Sequence, residues 1–194
     1  KGQIMKQMLN EKKQKVSERW YGTDGQNVLC KGSYSGVDRA FDEAGNSIRL
    51  TYYTLDGEIG PNAEGIITQE RSFDEEKRVV WVRYLDENDS PMAVKGITEL
   101  QQGYDDMGNV NLEILMDGNG ARVLNEDNWC EHRIVFNEKK QKVSERWYGT
   151  DGQPVLYKQS HSGIDRVFDE YGNTVRETYY DITGEIGANA NGAV

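Results

Sequence analysis

Proline (3 residues), cysteine (2) and histidine (2) are all scarce in this chain of 194 residues, and no apolar run approaches the length of a membrane span. Each shortage excludes something. Without a stretch of roughly 18 apolar residues no membrane insertion is expected, and Lys1-Gly2-Gln3-Ile4-Met5 has none of the apolar character of a signal peptide. Cys30 and Cys130 stand 100 residues apart, about three periods of the repeat described below, too far along an array to predict a disulfide. They are expected to serve as small apolar side chains.

Two histidines leave little room for nucleophilic catalysis, which needs a base beside the nucleophile. His161 stands where the equivalent residue is Tyr34, and His132 follows Trp129-Cys130-Glu131. On a strand Cys130 and His132 share a face, a spacing that would suit a thiolate pair, yet it occurs once and without an orienting group. Positive charge is also short: 23 Lys and Arg against 33 Asp and Glu give a net charge of −10. That balance repels phosphate backbones and anionic membranes, so no nucleic-acid partner is expected. The carboxylates are so many that neighbouring pairs arise by chance. No catalytic residue, cofactor or metal is assigned, and the chain is expected not to be an enzyme.

What is present is a repeat. Glu11–Gly65 aligns without gaps on Glu138–Gly192, with 40 of 55 positions identical. Inside this duplication runs a shorter period, marked by Leu9-Asn10-Glu11, Phe41-Asp42-Glu43, Phe73-Asp74-Glu75, Tyr104-Asp105-Asp106, Phe136-Asn137-Glu138 and Phe168-Asp169-Glu170, at spacings of 32, 32, 31, 32 and 32. Periods of this length signify a repeat array in which neighbouring units share a core that none could build alone. The units are 9–40, 41–72, 73–103, 104–135, 136–167 and 168–194, the last incomplete at Val194, with 1–8 ending a preceding unit. The chain is expected to be cut from a longer array.

Asp-Glu-Ala-Gly-Asn at 42–46 and Asp-Glu-Tyr-Gly-Asn at 169–173 place Gly and Asn where a tight turn needs positive φ. Around them Val37, Arg39 and Phe41, then Ile48, Leu50 and Tyr52, alternate with the residues between, the period of a strand. Met5–Arg19 and Glu70–Arg83 carry good helix formers, but their register within the repeat predicts strand. Glu138-Lys139-Lys140-Gln141, set against Asp42-Glu43-Ala44-Gly45, is expected to turn without glycine. The variable segment after each second strand is expected to form a third short strand or a bridging loop. The predicted fold is all-β, an elongated tandem β-hairpin array of about six units, either solenoid-like or a twisted antiparallel strip.

Aromatic pairs recur at equivalent positions: Trp20-Tyr21, Tyr52-Tyr53, Trp147-Tyr148 and Tyr179-Tyr180. On strands one member of each faces either side, so the array would carry aromatic ladders. Their plain role is packing between units; their functional one is a platform for a glycan or protein ligand. Acidic loops at Asp86-Glu87-Asn88-Asp89, Asp105-Asp106 and Asp117-Gly118-Asn119 match no calcium-loop pattern, and their Asp and Asn are expected to cap turns.

Phe/Tyr-Asp-x-x-Gly-Asn followed by an aromatic strand and an Asp-Gly turn resembles the Tyr-Asp (YD) repeats of bacterial cell-surface and secreted proteins, including the rearrangement-hotspot proteins. Tyr104-Asp105-Asp106-Met107-Gly108-Asn109 matches it best. The period here is longer than the usual YD spacing. The resemblance implies a bacterial, extracellular or surface-located hairpin strip that encloses, extends or adheres, with neighbouring repeats or domains of the same polypeptide as partners. It carries over no catalytic residues. Three functions follow as expectations: a structural or interaction module, a carbohydrate-binding module, or the shell segment of a toxin or enzyme whose active domain lies outside this chain.

Overall fold

The structure, a computed structural model, describes residues 3–193. Lys1, Gly2 and Val194 lie outside the described residues, and with them the start of the segment 1–8 and the end of the sixth unit. Among the described residues there is no helix, and the chain forms two compact units, Lys1–Val94 and Lys95–Val194. The first contains β1 (Gln3–Leu9), β2 (Lys15–Gly22), β3 (Gly36–Phe41), β4 (Ser47–Tyr53), β5 (Thr68–Phe73) and β6 (Val79–Leu85). The second contains β7 (Glu99–Tyr104), β8 (Val110–Met116), β9 (Glu131–Phe136), β10 (Lys142–Tyr148), β11 (Gly163–Phe168) and β12 (Thr174–Tyr180). Within each unit every strand pairs antiparallel with its chain neighbours, so the fold is an all-β tandem hairpin array.

The lysine-rich and glutamate-rich stretches are strands, as their register predicts, because one five-residue turn recurs whatever the sequence between its ends. Asp42 sets the pattern. Its N–H donates to the Asn46 carbonyl (3.0 Å), its carbonyl accepts from Gly45 N–H (3.2 Å), and its carboxylate accepts from Asn46 N–H (2.7 Å). Asn10, Asp74, Asp105, Asn137 and Asp169 do the same. The fourth residue needs positive φ: Gly45 has 88°, whereas Lys13, Lys77 and Lys140 occupy the same place at 60°, 63° and 59°. For a residue with a Cβ this conformation costs about 1–2 kcal/mol, and the Asx side chain supplies the compensating bonds. The alignment of Glu138 with Asp42 is therefore one residue out: Asn137 does what Asp42 does, and Lys140 stands in the place of Gly45.

The marker residues Leu9, Phe41, Phe73, Tyr104, Phe136 and Phe168 each end an odd strand. In all six hairpins the pairing shifts by one residue directly before the marker, at Met8/Leu9, Ala40/Phe41, Ser72/Phe73, Gly103/Tyr104, Val135/Phe136 and Val167/Phe168. The variable segments form loops rather than third strands. Four of the six use the same turn again, at Asp86, Asp117 and Asp181 and at Asn62, Asn125 and Asn189. In the first unit these loops deliver Val28, Tyr34, Ile66, Met92 and Val94 onto one face of the sheet, over Trp20, Val37, Leu50 and Tyr52. Tyr34 wedges between Trp20 (5.4 Å between ring centres) and Tyr52 (5.0 Å).

Between successive hairpins the ladder is short. β2 meets β3 only at Ser17↔Asp38, Glu18↔Val37 and Arg19↔Gly36. Side chains on the face away from the core reinforce this seam. Arg19 donates to both Asp38 oxygens (2.7 and 3.2 Å), lies 3.7 Å over the Tyr53 ring, and Tyr53 OH donates to Asp38 (2.7 Å). In the second unit Arg146, Asp165 and Tyr180 rebuild the clamp. The flat arginine leaves no room beneath it: a Cβ on Gly36 would meet Arg19 Cδ at 2.4 Å, and one on Gly163 would meet Arg146 Cδ at 2.5 Å. Gly36→Ala is therefore expected to destabilise the protein by about 1–3 kcal/mol in urea unfolding, the usual cost of overpacking. Adding Arg19→Ala should remove part of that penalty, giving non-additive cycles.

Candidate functional site

The four aromatic pairs divide between the two faces, as strand alternation requires. Trp20, Tyr52 and Trp147 are buried on the core faces, with Tyr179 half-buried. Tyr21, Tyr53, Tyr148 and Tyr180 occupy the opposite faces, each beneath a cation: Lys6 at 4.7 Å, Arg19 at 3.7 Å, Arg133 at 4.7 Å and Arg146 at 4.2 Å. The rings of the second members are thus occupied in holding strands together.

The other candidates of the sequence are structural in their geometry. Asp86, Asp105 and Asp117 spend their carboxylates on the backbone N–H groups of their own turns. Both cysteines are free thiols. Cys130 Sγ contacts the Leu115 carbonyl at 3.4 Å, and burial pushes its pKa up, away from a thiolate. His132, two residues on, engages carboxylates instead.

Those carboxylates belong to a charged row across the core face of the second unit. Register brings Glu113 opposite His132, His132 opposite Trp147, and Glu145 opposite both Ile134 and Ile164. His132 Nε2 lies 3.1 Å from Glu145 Oε2, and Nδ1 lies 3.5 Å from Glu113 Oε2. Glu145 also accepts from Lys142 (3.1 Å) and Arg166 (2.5 Å), and Arg166 Nε donates to Glu177 (3.1 Å). Burial alone would raise the Glu145 pKa, but the bonds from His132, Arg166 and Lys142 hold it far below the usual carboxylate range. Hydrogen bonding to His132 also lowers the Glu113 pKa. Burial works against the charge on His132, yet the two glutamates outweigh it and raise its pKa.

Aromatic rings flank this row. His132 stacks on Trp147 (4.9 Å, 7°), Trp147 stacks on Tyr157 (4.5 Å, 7°), and His161 stands edge-on to Trp147 (5.3 Å) and Tyr179 (5.0 Å). Burial, then Arg166, lowers the His161 pKa, so the two histidines are tuned in opposite directions. Above the row lies a cleft of about 430 Å³. The sequence named Trp147 and Tyr179 from this cluster for their ladder positions, but not the ionic row. Its signal lay in the duplication: Tyr157, His161 and Glu177 stand where the first copy has Cys30, Tyr34 and Leu50.

No protein-family model and no curated protein matches the sequence. The chain is similar in fold to solved structures, among them the crystal structure of TcdB2-TccC3-Cdc42, at a TM-score of 0.56 and 15% identity over 97% of this chain. The crystal structure of TcdB2-TccC3 matches at 0.55 and 14% over the same share. The chain spans 8% and 9% of the length of those chains. At such identities the likeness is one of fold: a tandem β-hairpin array that recurs as a small part of much longer polypeptides.

The ionic row makes a prediction about pH. A histidine whose folded pKa is raised contributes fully below its ordinary 6.5 and loses that contribution as pH rises through the folded value. Glu113 and Glu145, both depressed, contribute above their ordinary 4.5 and lose it on acidification. The three act in full together between these limits. His132→Gln should therefore narrow the stability gap to wild type as pH rises from 6.5 towards 9, measured by urea unfolding across the range; a gap independent of pH would contradict a charged His132.

Proposed function

We propose that the chain is a non-enzymatic structural and interaction module, a segment of a larger exported bacterial protein whose hairpin array holds or encloses other domains. One observation carries this reading: strands, turns and seam clamps repeat with the same chemistry through both units, so the regular parts of the sequence serve to continue the array. The fold builds length by adding equivalent hairpins, each stabilised by its neighbours.

A more particular form, the shell segment of a toxin, is favoured by the likeness in fold to the TcdB2-TccC3 chains, which are toxin complex proteins. Such a segment would act by excluding protease and solvent from whatever lies within, and needs no catalytic group of its own. The YD-like markers at Phe41, Tyr104 and Phe168 support the same setting.

Array behaviour is checked by truncation. Removing residues 163–194, which carry β11 and β12, should lower stability in a graded way and leave β7–β10 folded, seen as retained hydrogen-exchange protection; a single transition unchanged by the deletion would contradict it. The shell form is checked on the full-length polypeptide by limited proteolysis. Regions outside the array should resist cleavage until urea opens it, whereas digestion at the same rate in native and opened protein argues for a simple spacer.

A further inference from the structure

The two copies of the duplication share one scaffold and differ on one face. Both keep a lysine, glutamate, tryptophan and arginine there: Lys15, Glu18, Trp20 and Arg39 in the first, Lys142, Glu145, Trp147 and Arg166 in the second. In the first copy the rest of that face is closed, with Val37, Leu50 and Tyr52 buried, Cys30 and Tyr34 packed against them, and Ile66 and Val94 of the following segments completing the cluster. In the second copy Tyr157, His161 and Glu177 replace Cys30, Tyr34 and Leu50, and His132 takes the position of Met5. The same surface there holds the cleft of about 430 Å³. Its volume falls within the roughly 300–1,000 Å³ usual for small-ligand pockets.

A spacer gains nothing from this exchange. Polar groups brought onto a core face cost stability unless paired, and the first copy shows that apolar residues fit the same backbone. We propose that the cleft of the second copy binds a neutral saccharide, with sugar rings lying against Trp129 and Tyr179 over a floor of Glu145, Arg166 and Glu177.

Three features select this class. The floor charges neutralise one another, since Arg166 bonds both Glu145 and Glu177 while Lys142 and His132 add to Glu145; neither an anion nor a cation finds an unanswered partner. What remains are planar groups: the guanidinium fork and carboxylates, which match adjacent hydroxyls in pairs. The walls are half-buried rings, Trp129, Tyr157, His161 and Tyr179, apolar on their faces and polar at their tips, as the two sides of a pyranose demand. Trp129 also borders a second hollow of about 300 Å³ lined by Ile97, Leu100 and Leu115. The two hollows together favour an oligosaccharide over a single sugar.

The test titrates the intact chain with cellohexaose, maltohexaose and chitohexaose, followed by amide chemical shifts and tryptophan fluorescence. At least one should bind with a Kd of about 1 mM or tighter, with shifts concentrated at Trp129, His161 and Tyr179. Trp129→Ala should weaken binding about tenfold, a loss of ~1.4 kcal/mol, without changing the thermal midpoint. The triple exchange Tyr157→Cys, His161→Tyr and Glu177→Leu rebuilds the face of the first copy, and should abolish binding with the fold intact. Absence of binding by all three sugars up to ~10 mM overturns the proposal, as does binding that survives both variants. Tighter binding of polygalacturonate than of any neutral sugar overturns the assignment of class. None of these outcomes depends on the scaffold reading.

Discussion

Three ladder pairs join β2 to β3, extended by one bond from Trp20 N–H to the Ser35 carbonyl, and the same number of pairs joins β4 to β5, β8 to β9 and β10 to β11. Ladders this short do not hold sheets by themselves, so both faces are recruited to each seam. On one face, loops bring apolar side chains over the strand ends. On the other, at the β2–β3 and β10–β11 seams, an arginine lies flat across a glycine, bonded to an aspartate and stacked on a tyrosine, while at β4–β5 Arg49 pairs with Glu70. Composition follows from this geometry: modest apolar content, abundant aromatics, and ion pairs where a thicker protein would have a second layer.

Much of this was legible in the sequence, because repetition turns weak local signals into strong ones. No turn rule would place a turn confidently at Asn10–Gln14, but Asp42–Asn46 occupies the same register, and the same side chain makes the same bonds. The strand character of Glu70–Arg83 was legible for the same reason, against its helix propensity. The one-residue error at Glu138 arose where glycine was absent, since Lys140 carries no mark of the positive φ it adopts. The Asx turns at Asn62, Asn125 and Asn189 carry no aromatic marker of the kind that sets the 32-residue register, so that register did not point to them.

The ionic row was harder to see. Its members lie on strands separated by loops, Glu113, His132, Glu145 and Arg166 being brought together only by register. Each looks alone like a solvated charge. Their chemistry depends on mutual contact: the two glutamates raise the pKa of His132, and hydrogen bonding to His132 lowers theirs. In the sequence this face is marked by the exchanges between the two copies, Leu50 against Glu177 and Tyr34 against His161.

Within each unit, every strand pairs only with the strands before and after it in the chain. No part must wait for a distant segment to arrive. Local pairing of this kind favours rapid, sequential assembly, so each hairpin can close on its predecessor as soon as it emerges from a ribosome or a translocation channel. A polypeptide built this way can be threaded as an extended chain and regain its shape vectorially, from the leading end backwards.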